Sequence, residues 1–196
     1  MNNKRKKYNI FESFMNLFHA FRTTKYLKKA KKAGSLDEQF QERLMLAVTE
    51  VNGCAMCSYA HTRMALEAGL DSDSIKNLLS GTFDGIPEEQ LPSVLFAQHY
   101  AETRGKPTKA TWDQIVKDYN KTTALGILGA IRMIMVGNTY GMPFGSFILR
   151  FSRDKSKIDE RSNLGYELIM LITVIPFTII ALIFAKLANL FGLRVI

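Results

Sequence analysis

The sequence predicts an all-α protein that ends in a membrane helix, and three observations carry that prediction. Apolar residues recur at helical spacing between turn signals, no segment alternates as a strand would, and Leu168–Ala185 runs 18 residues without a charge. A chain of 196 residues holds one domain of ordinary size plus appendages. Its hydrophobic share of 47% belongs to a globular rather than a disordered chain.

The elements follow in order. Residues 1–34 form a basic arm. Ten Lys or Arg stand against the single acid Glu12 in residues 1–32, and the remainder is nearly neutral, with 16 basic and 17 acidic groups. Phe11, Phe14, Met15, Phe18 and Phe21 recur at helical spacing, bounded by Lys4–Lys7 on one side and by Arg22, Lys25, Lys28, Lys29, Lys31 and Lys32 on the other. Such a helix either lies on anionic lipid or packs its Phe stripe on the domain. Nucleic-acid binding is not expected, because no reading motif accompanies the charges. The interrupted apolar stretch and the lack of a small-residue cleavage site argue against a cleaved signal peptide.

Residues 35–151 form the helical domain. Ser35 and Glu38 suggest a capping box that opens a helix through Phe40, Leu44, Ala47, Val48 and Val51, stopped at Asn52-Gly53. A second helix is expected from Cys54 to Ala68, closed by Gly69. A short third, capped by Asp71 or Ser72, runs to Leu79 before Gly81. Pro87 and Pro92 introduce a helix that reaches about Thr103. Thr111 with Gln114 suggests another capped start, and Thr123 begins an apolar helix through about Tyr140.

A polar linker, 152–163, leads to the membrane helix, 164–190, and a tail, 191–196. Eighteen helical residues rise roughly 27 Å, close to the thickness of a bilayer's hydrocarbon core. Pro176 inside the run is better tolerated in lipid than in water. Arg150, Arg153, Lys155, Lys157 and Arg161 precede the run, and only Lys186 and Arg194 follow it. The expectation is a single pass through the cell membrane, with the domain cytoplasmic and the tail outside.

Chemistry is concentrated in Glu42-RLMLAVTEVNG-Cys54-AM-Cys57-SYA-His61. Two cysteines in the whole chain, three apart, point to redox chemistry or half a metal site rather than a disulfide scaffold. On a helix Cys54, Cys57 and His61 share a face, so a disulfide is feasible and the imidazole lies one turn from a thiol. The first turn of a helix favours thiolate over thiol. If the two helices form a hairpin about Gly53, Glu42 returns to orient His61 or relay a proton. Two alternatives stay open on the residues alone. The cysteines are small core residues, or they join His61 and either His99 or Glu42 in a zinc site, for which the spacing fits no usual paired motif.

The pattern E-x11-C-x2-C-x3-H, with Asn-Gly before the first cysteine, resembles the carboxymuconolactone decarboxylase-like superfamily, and within it the alkyl hydroperoxidase D-like branch. The resemblance covers roughly residues 35–145. It implies an all-α domain, Cys57 as a solvent-facing peroxidatic cysteine, Cys54 as its resolving partner, and His61 with Glu42 as a proton relay. It further implies a trimer or hexamer, a hydroperoxide substrate, and reduction by a lipoyl-bearing protein or another dithiol, with no cofactor. True decarboxylases of the superfamily lack the cysteine pair. Met56 departs from the pattern, where a relative carries a polar or aromatic residue, and the two ends are additions to it. The expected activity is therefore that of a membrane-anchored, peroxiredoxin-type oxidoreductase. A redox sensor or thiol–disulfide oxidoreductase without peroxidase turnover, or a membrane-tethered binding module, are the rivals.

Overall fold

The computed structural model describes residues 7–153 and 155–196 of the chain. Lys4–Lys6 of the basic arm and Asp154 of the linker lie outside the described residues. The fold is all-α, with no strand among the described residues. Its helices are α1 (Ile10–Lys32), α2 (Glu38–Asn52), α3 (Ala55–Glu67), α4 (Ser72–Ser80), α5 (Leu91–Glu102), α6 (Lys109–Arg150) and α7 (Leu164–Leu190).

Helix α6 is the spine, and α1, α2, α3, α5 and α7 all pack on it. Its buried residues include Ala124, Ile127, Leu128, Ala130, Ile131 and Met135, every one under 4% exposed, so the core follows this element. Helix α1 approaches it through two glycines. A methyl added at Gly126 would run into Ala30 Cβ, and one at Gly129 would lie 2.9 Å from Leu27 Cβ. Removing two side chains lets the backbones close to contact distance, a packing mode common between membrane helices. Asn16 Nδ2 donates to Thr139 Oγ1 (2.8 Å) across the same seam.

The face that α1 buries includes Ser13, Asn16, Leu17, Ala20, Thr23, Leu27 and Ala30, not the aromatic stripe. Phe14 instead meets Phe177 and Phe184 of α7 edge-on, with centroids 5.5 and 6.5 Å apart, while Phe11 remains 68% exposed. Small and polar residues with Leu17 and Leu27 therefore hold α1 to the spine, and Phe14 turns toward α7. The sequence emphasised the Phe stripe because hydrophobicity draws the eye to large side chains, whereas close approach needs small ones.

Three expected starts shift. The cap of α2 is Asp37, which accepts from Phe40 N at 2.7 Å, and Ser35 Oγ turns back to Ala30 O. A carboxylate one turn before Phe40 wins because Leu36 must be fully buried, which draws the chain inward before the helix begins. The cap of α6 is Thr108, not Thr111, whose N–H is the one capped (3.1 Å). Within α6 the backbone breaks at Asn120 (φ 60, ψ 161), and Asn120 Oδ1 accepts from the N–H groups of Thr122 and Thr123. The apolar helix thus begins just before Thr123 and runs ten residues beyond Tyr140, to Arg150, with Pro143 accommodated inside it.

Helix α7 is long and apolar enough to cross a membrane, with only 17% of its most apolar window buried. Its first turn is fixed by the fully buried Glu167, which accepts from Arg150 Nη2 (2.8 Å) and Ser162 Oγ (2.7 Å).

Where α1 meets α6, burial pushes the His19 imidazole down, and Arg132 and Arg22 add to the effect, from the ordinary 6.5 to about 4. Between these values the unfolded chain binds a proton that the folded chain does not, so stability falls as pH drops through that window. Thermal melts between about pH 7 and about pH 4 should show this loss, and His19→Gln should flatten it. An unchanged acid slope in the variant would remove His19 from the account.

Candidate active site

Helix α2 ends at Gly53, whose left-handed backbone (φ 63, ψ 45) returns an N–H to Thr49 O. Glycine adopts this conformation without a side-chain clash, and the chain reverses there. The reversal makes Cys54 the N-cap of α3 in extended conformation, not the first helical residue. Cys54 Sγ accepts from Cys57 N at 3.2 Å, in the place where Ser or Asp usually caps. Cys57 is three residues on, so the two sulfurs sit at disulfide-bonding distance with Cα atoms 5.3 Å apart. Both side chains are sheltered, Cys54 at 1% and Cys57 at 7% exposed.

One turn beyond Cys57, His61 Nδ1 lies 2.7 Å from Glu42 Oε2. The hairpin of α2 and α3 therefore returns Glu42 to the imidazole across the Gly53 turn. An ionised carboxylate only accepts, so Nδ1–H donates, and in the neutral imidazole Nε2 then keeps a lone pair. The His61 and Glu42 side chains are 15% and 3% exposed. A cleft of about 190 Å³, lined by Lys31, Glu38, Gln41, Glu42, Met64 and Glu67, borders the carboxylate. A second cleft of about 230 Å³, lined by Thr49, Glu50, Gly53, Cys54, Ala55 and Ser58, borders the disulfide on the Cys54 side. The disulfide and the Glu42 carboxylate thus border separate clefts.

Two contributors went unread in the sequence. The first is a stripe of glycines on α6, Gly137, Gly141 and Gly145, spaced four apart on the face that meets α3. Cys57 Sγ lies 3.3 Å from Gly137 O. A methyl at Gly141 would lie 2.7 Å from Cys57 Sγ and 3.1 Å from Cys54 Sγ, and one at Gly145 would lie 3.2 Å from Met56 Cβ. The disulfide occupies volume that any larger residue would take. The signal was present as G-x3-G-x3-G in an apolar helix.

The second is Arg161, first read only as a topology-setting charge. It donates from Nη1 to Asn52 O (2.9 Å) and from Nη2 to Gly53 O (2.8 Å), closing the end of α2 beside Cys54. Its bond to Asp159 holds the guanidinium above its ordinary pKa. Nearby, Tyr8 Oη donates to Asn52 Oδ1 (2.6 Å), and burial pushes the phenol up to about 12, so it remains a donor.

His99 lies on α5 and takes no part in this cluster. No group of three or more His, Cys, Asp or Glu placed to hold a metal occurs among the described residues.

The four residues of the motif thus occupy one hairpin, and that hairpin falls inside a stretch with a known pattern. Residues 16–84 match the carboxymuconolactone decarboxylase family. The match to this family begins within α1, includes Glu42, Cys54, Cys57 and His61, and ends after α4. No curated protein and no solved structure matches the chain.

Gly141→Ala should cost roughly 1–3 kcal/mol through overpacking against the sulfurs. Gly137→Ala, where the nearest atom is the flexible end of Ile134 at 3.3 Å, is the control that shares the helix-propensity gain. Urea unfolding of the two oxidised variants checks this, and equal midpoints would show that the stripe does not limit the disulfide.

Proposed function

We propose that this chain is a membrane-anchored thiol peroxidase of the alkyl hydroperoxidase D-like kind. The observation that carries the reading is one hairpin that joins a bondable Cys54–Cys57 pair to a His61–Glu42 relay. In the cycle, a dithiol first reduces the disulfide, giving two thiols and the oxidised donor. His61 takes the Cys57 proton, with Glu42 holding the imidazole in one tautomer. The Cys57 thiolate then attacks the distal oxygen of a hydroperoxide. A sulfur–oxygen bond forms, the oxygen–oxygen bond breaks, and the alkoxide leaves as ROH with the proton from His61. Cys54 attacks the resulting sulfenic sulfur, the disulfide re-forms, and water departs with the remaining thiol proton. The sum is ROOH plus a dithiol giving ROH, water and a disulfide.

The reductant in this reading is a lipoyl-bearing protein or another small dithiol, and the working form is a homo-oligomer. Helix α7 attaches the enzyme to the cell membrane with the redox site in the cytoplasm.

A second assignment of the sulfurs has its own support. Cys54 faces the open cleft and receives an N–H, whereas Cys57 Sγ faces a carbonyl oxygen, which favours thiol over thiolate. Against it stand the slightly greater exposure of Cys57 and the place of Cys57 one turn before His61.

Cumene hydroperoxide with dihydrolipoamide as donor separates these readings. Cys57→Ser should abolish turnover, and Cys54→Ser should allow one turnover that leaves a dimedone-trappable sulfenic acid on Cys57. Trapping on Cys54 in Cys57→Ser would exchange the roles. His61→Ala should slow the chemical step about 100-fold or more. Wild-type protein that exchanges disulfides but leaves the peroxide unconsumed would move the function to thiol–disulfide exchange.

A further inference from the structure

Helix α7 is held to the helical body at both of its ends. At its start, Arg161 binds the carbonyls of Asn52 and Gly53, and Tyr166 Oη donates to Tyr8 O at 3.0 Å. At its end, Gly192 (φ 64) turns the chain back onto the body. There Arg22 donates to the carbonyls of Leu193 and Arg194 (2.7 Å to the latter), and Arg132 Nη2 donates to Val195 O at 3.0 Å. Both guanidiniums are buried, at 5% and 3% exposed. Arg132 also donates from Nε to Tyr100 Oη (2.8 Å), which ties the tail to α5 and the core.

A helix so held cannot leave the body behind. Its 27 residues extend roughly 40 Å, and the body lies alongside from the α2–α3 turn at one end to α5 at the other. If α7 crossed a bilayer in this arrangement, α1 and α6, which pack along it, would share its depth, and the partly exposed Arg104–Glu12 pair near the Phe14–Phe177 contact would enter the hydrocarbon. Charged side chains are costly there. The tail, expected on the far side, docks against α1 and α6 through the Arg22 and Arg132 bonds.

The outer face of α7 still needs a cover. Ile172, Ile175, Ile179 and Ile183 are 72%, 69%, 56% and 53% exposed along one strip, more than a soluble monomer ordinarily leaves to water. We propose that α7 lies in the plane of the membrane, with this strip in the lipid and the carboxyl-terminal tail on the same side as the redox site. The inference rests on the reading of α7 as the membrane anchor and fixes its topology.

Charge selects lipid over a second copy as the cover. Segment 150–167 carries five Lys or Arg against four acids at the start of the helix, where Arg150 is paired with Glu167. Lys186, Arg194 and the acid-free end of α1, with Lys25, Lys28, Lys29, Lys31 and Lys32, bound the other end. Two copies packed in parallel across α7 would bring these basic ends together, whereas anionic headgroups neutralise them.

The test uses the full chain with one epitope before Met1 and another after Ile196, which is exposed. It is expressed in bacteria and probed with protease in spheroplasts and in inverted membrane vesicles. The expected result is that both epitopes are protected in spheroplasts and cleaved in inverted vesicles. A carboxyl-terminal epitope cleaved only in spheroplasts would overturn the in-plane arrangement and leave membrane anchoring intact. Protein recovered in the soluble fraction as an oligomer would overturn both, with a second copy as the cover.

Discussion

The structure depends on how closely other helices can approach α6. Two sets of glycines on different faces of this one element set that distance. Gly126 and Gly129 admit α1, and Gly141 and Gly145 admit α3 with its sulfurs. Each glycine in a helix interior costs roughly 1 kcal/mol relative to alanine, so these glycines are a standing penalty. It is offset by tight packing, which makes the α1–α6 seam continuous and seats the disulfide against a backbone. The disulfide is therefore built from two directions, by the hairpin that supplies the atoms and by the groove that supplies the space.

The clustering of the four candidate residues was largely legible in the sequence because it is local. Glu42, Cys54, Cys57 and His61 fall within twenty residues, and a helix–glycine–helix hairpin is the only local geometry needed to join them. Helical periodicity likewise carried the fold class. The losses have a common cause. A cap depends on which residue the chain must bury next, so Leu36 moved the start of α2 from Ser35 to Asp37, and Asn120 divided a run that periodicity alone could not divide. The glycine stripe and Arg161 act through residues 80 or more positions away, and no short-range pattern reports such a partner.

Burial also sorts the charged groups. Arg22 and Arg132 are nearly covered, yet neither faces a carboxylate; both are bonded to backbone carbonyls of the tail. Carbonyl dipoles supply hydrogen bonds without a counter-charge, so the tail completes these arginines as much as they hold the tail. Glu12 shows the opposite solution. Burial alone would raise its pKa, but the Arg104 bond and the Asn9 N–H prevail and hold the carboxyl below its ordinary range. That pair stabilises above the ordinary carboxylate range and is lost as pH falls through the lowered value. It ties the start of α1 to the turn after α5, close to the Tyr8–Asn52 bond beside the site.

The same arginine that leads into α7 closes the helix end from which Cys54 emerges, so the entry to the apolar helix and the disulfide share a residue. Asn52 O and Gly53 O belong to the last carbonyls of α2, which lack helical partners and would otherwise need water. Arg161 fills both positions while Asp159 holds its guanidinium. A displacement of α7 must therefore either break two charge-assisted bonds or carry the Gly53 turn with it. The turn sets the Cys54 backbone, and Cys54 is the cap that begins α3, so the entry to α7 is joined to the disulfide through Arg161, Gly53 and Cys54. A site placed at the start of a helix is sensitive to such coupling, because the first turn has the fewest hydrogen bonds to resist it.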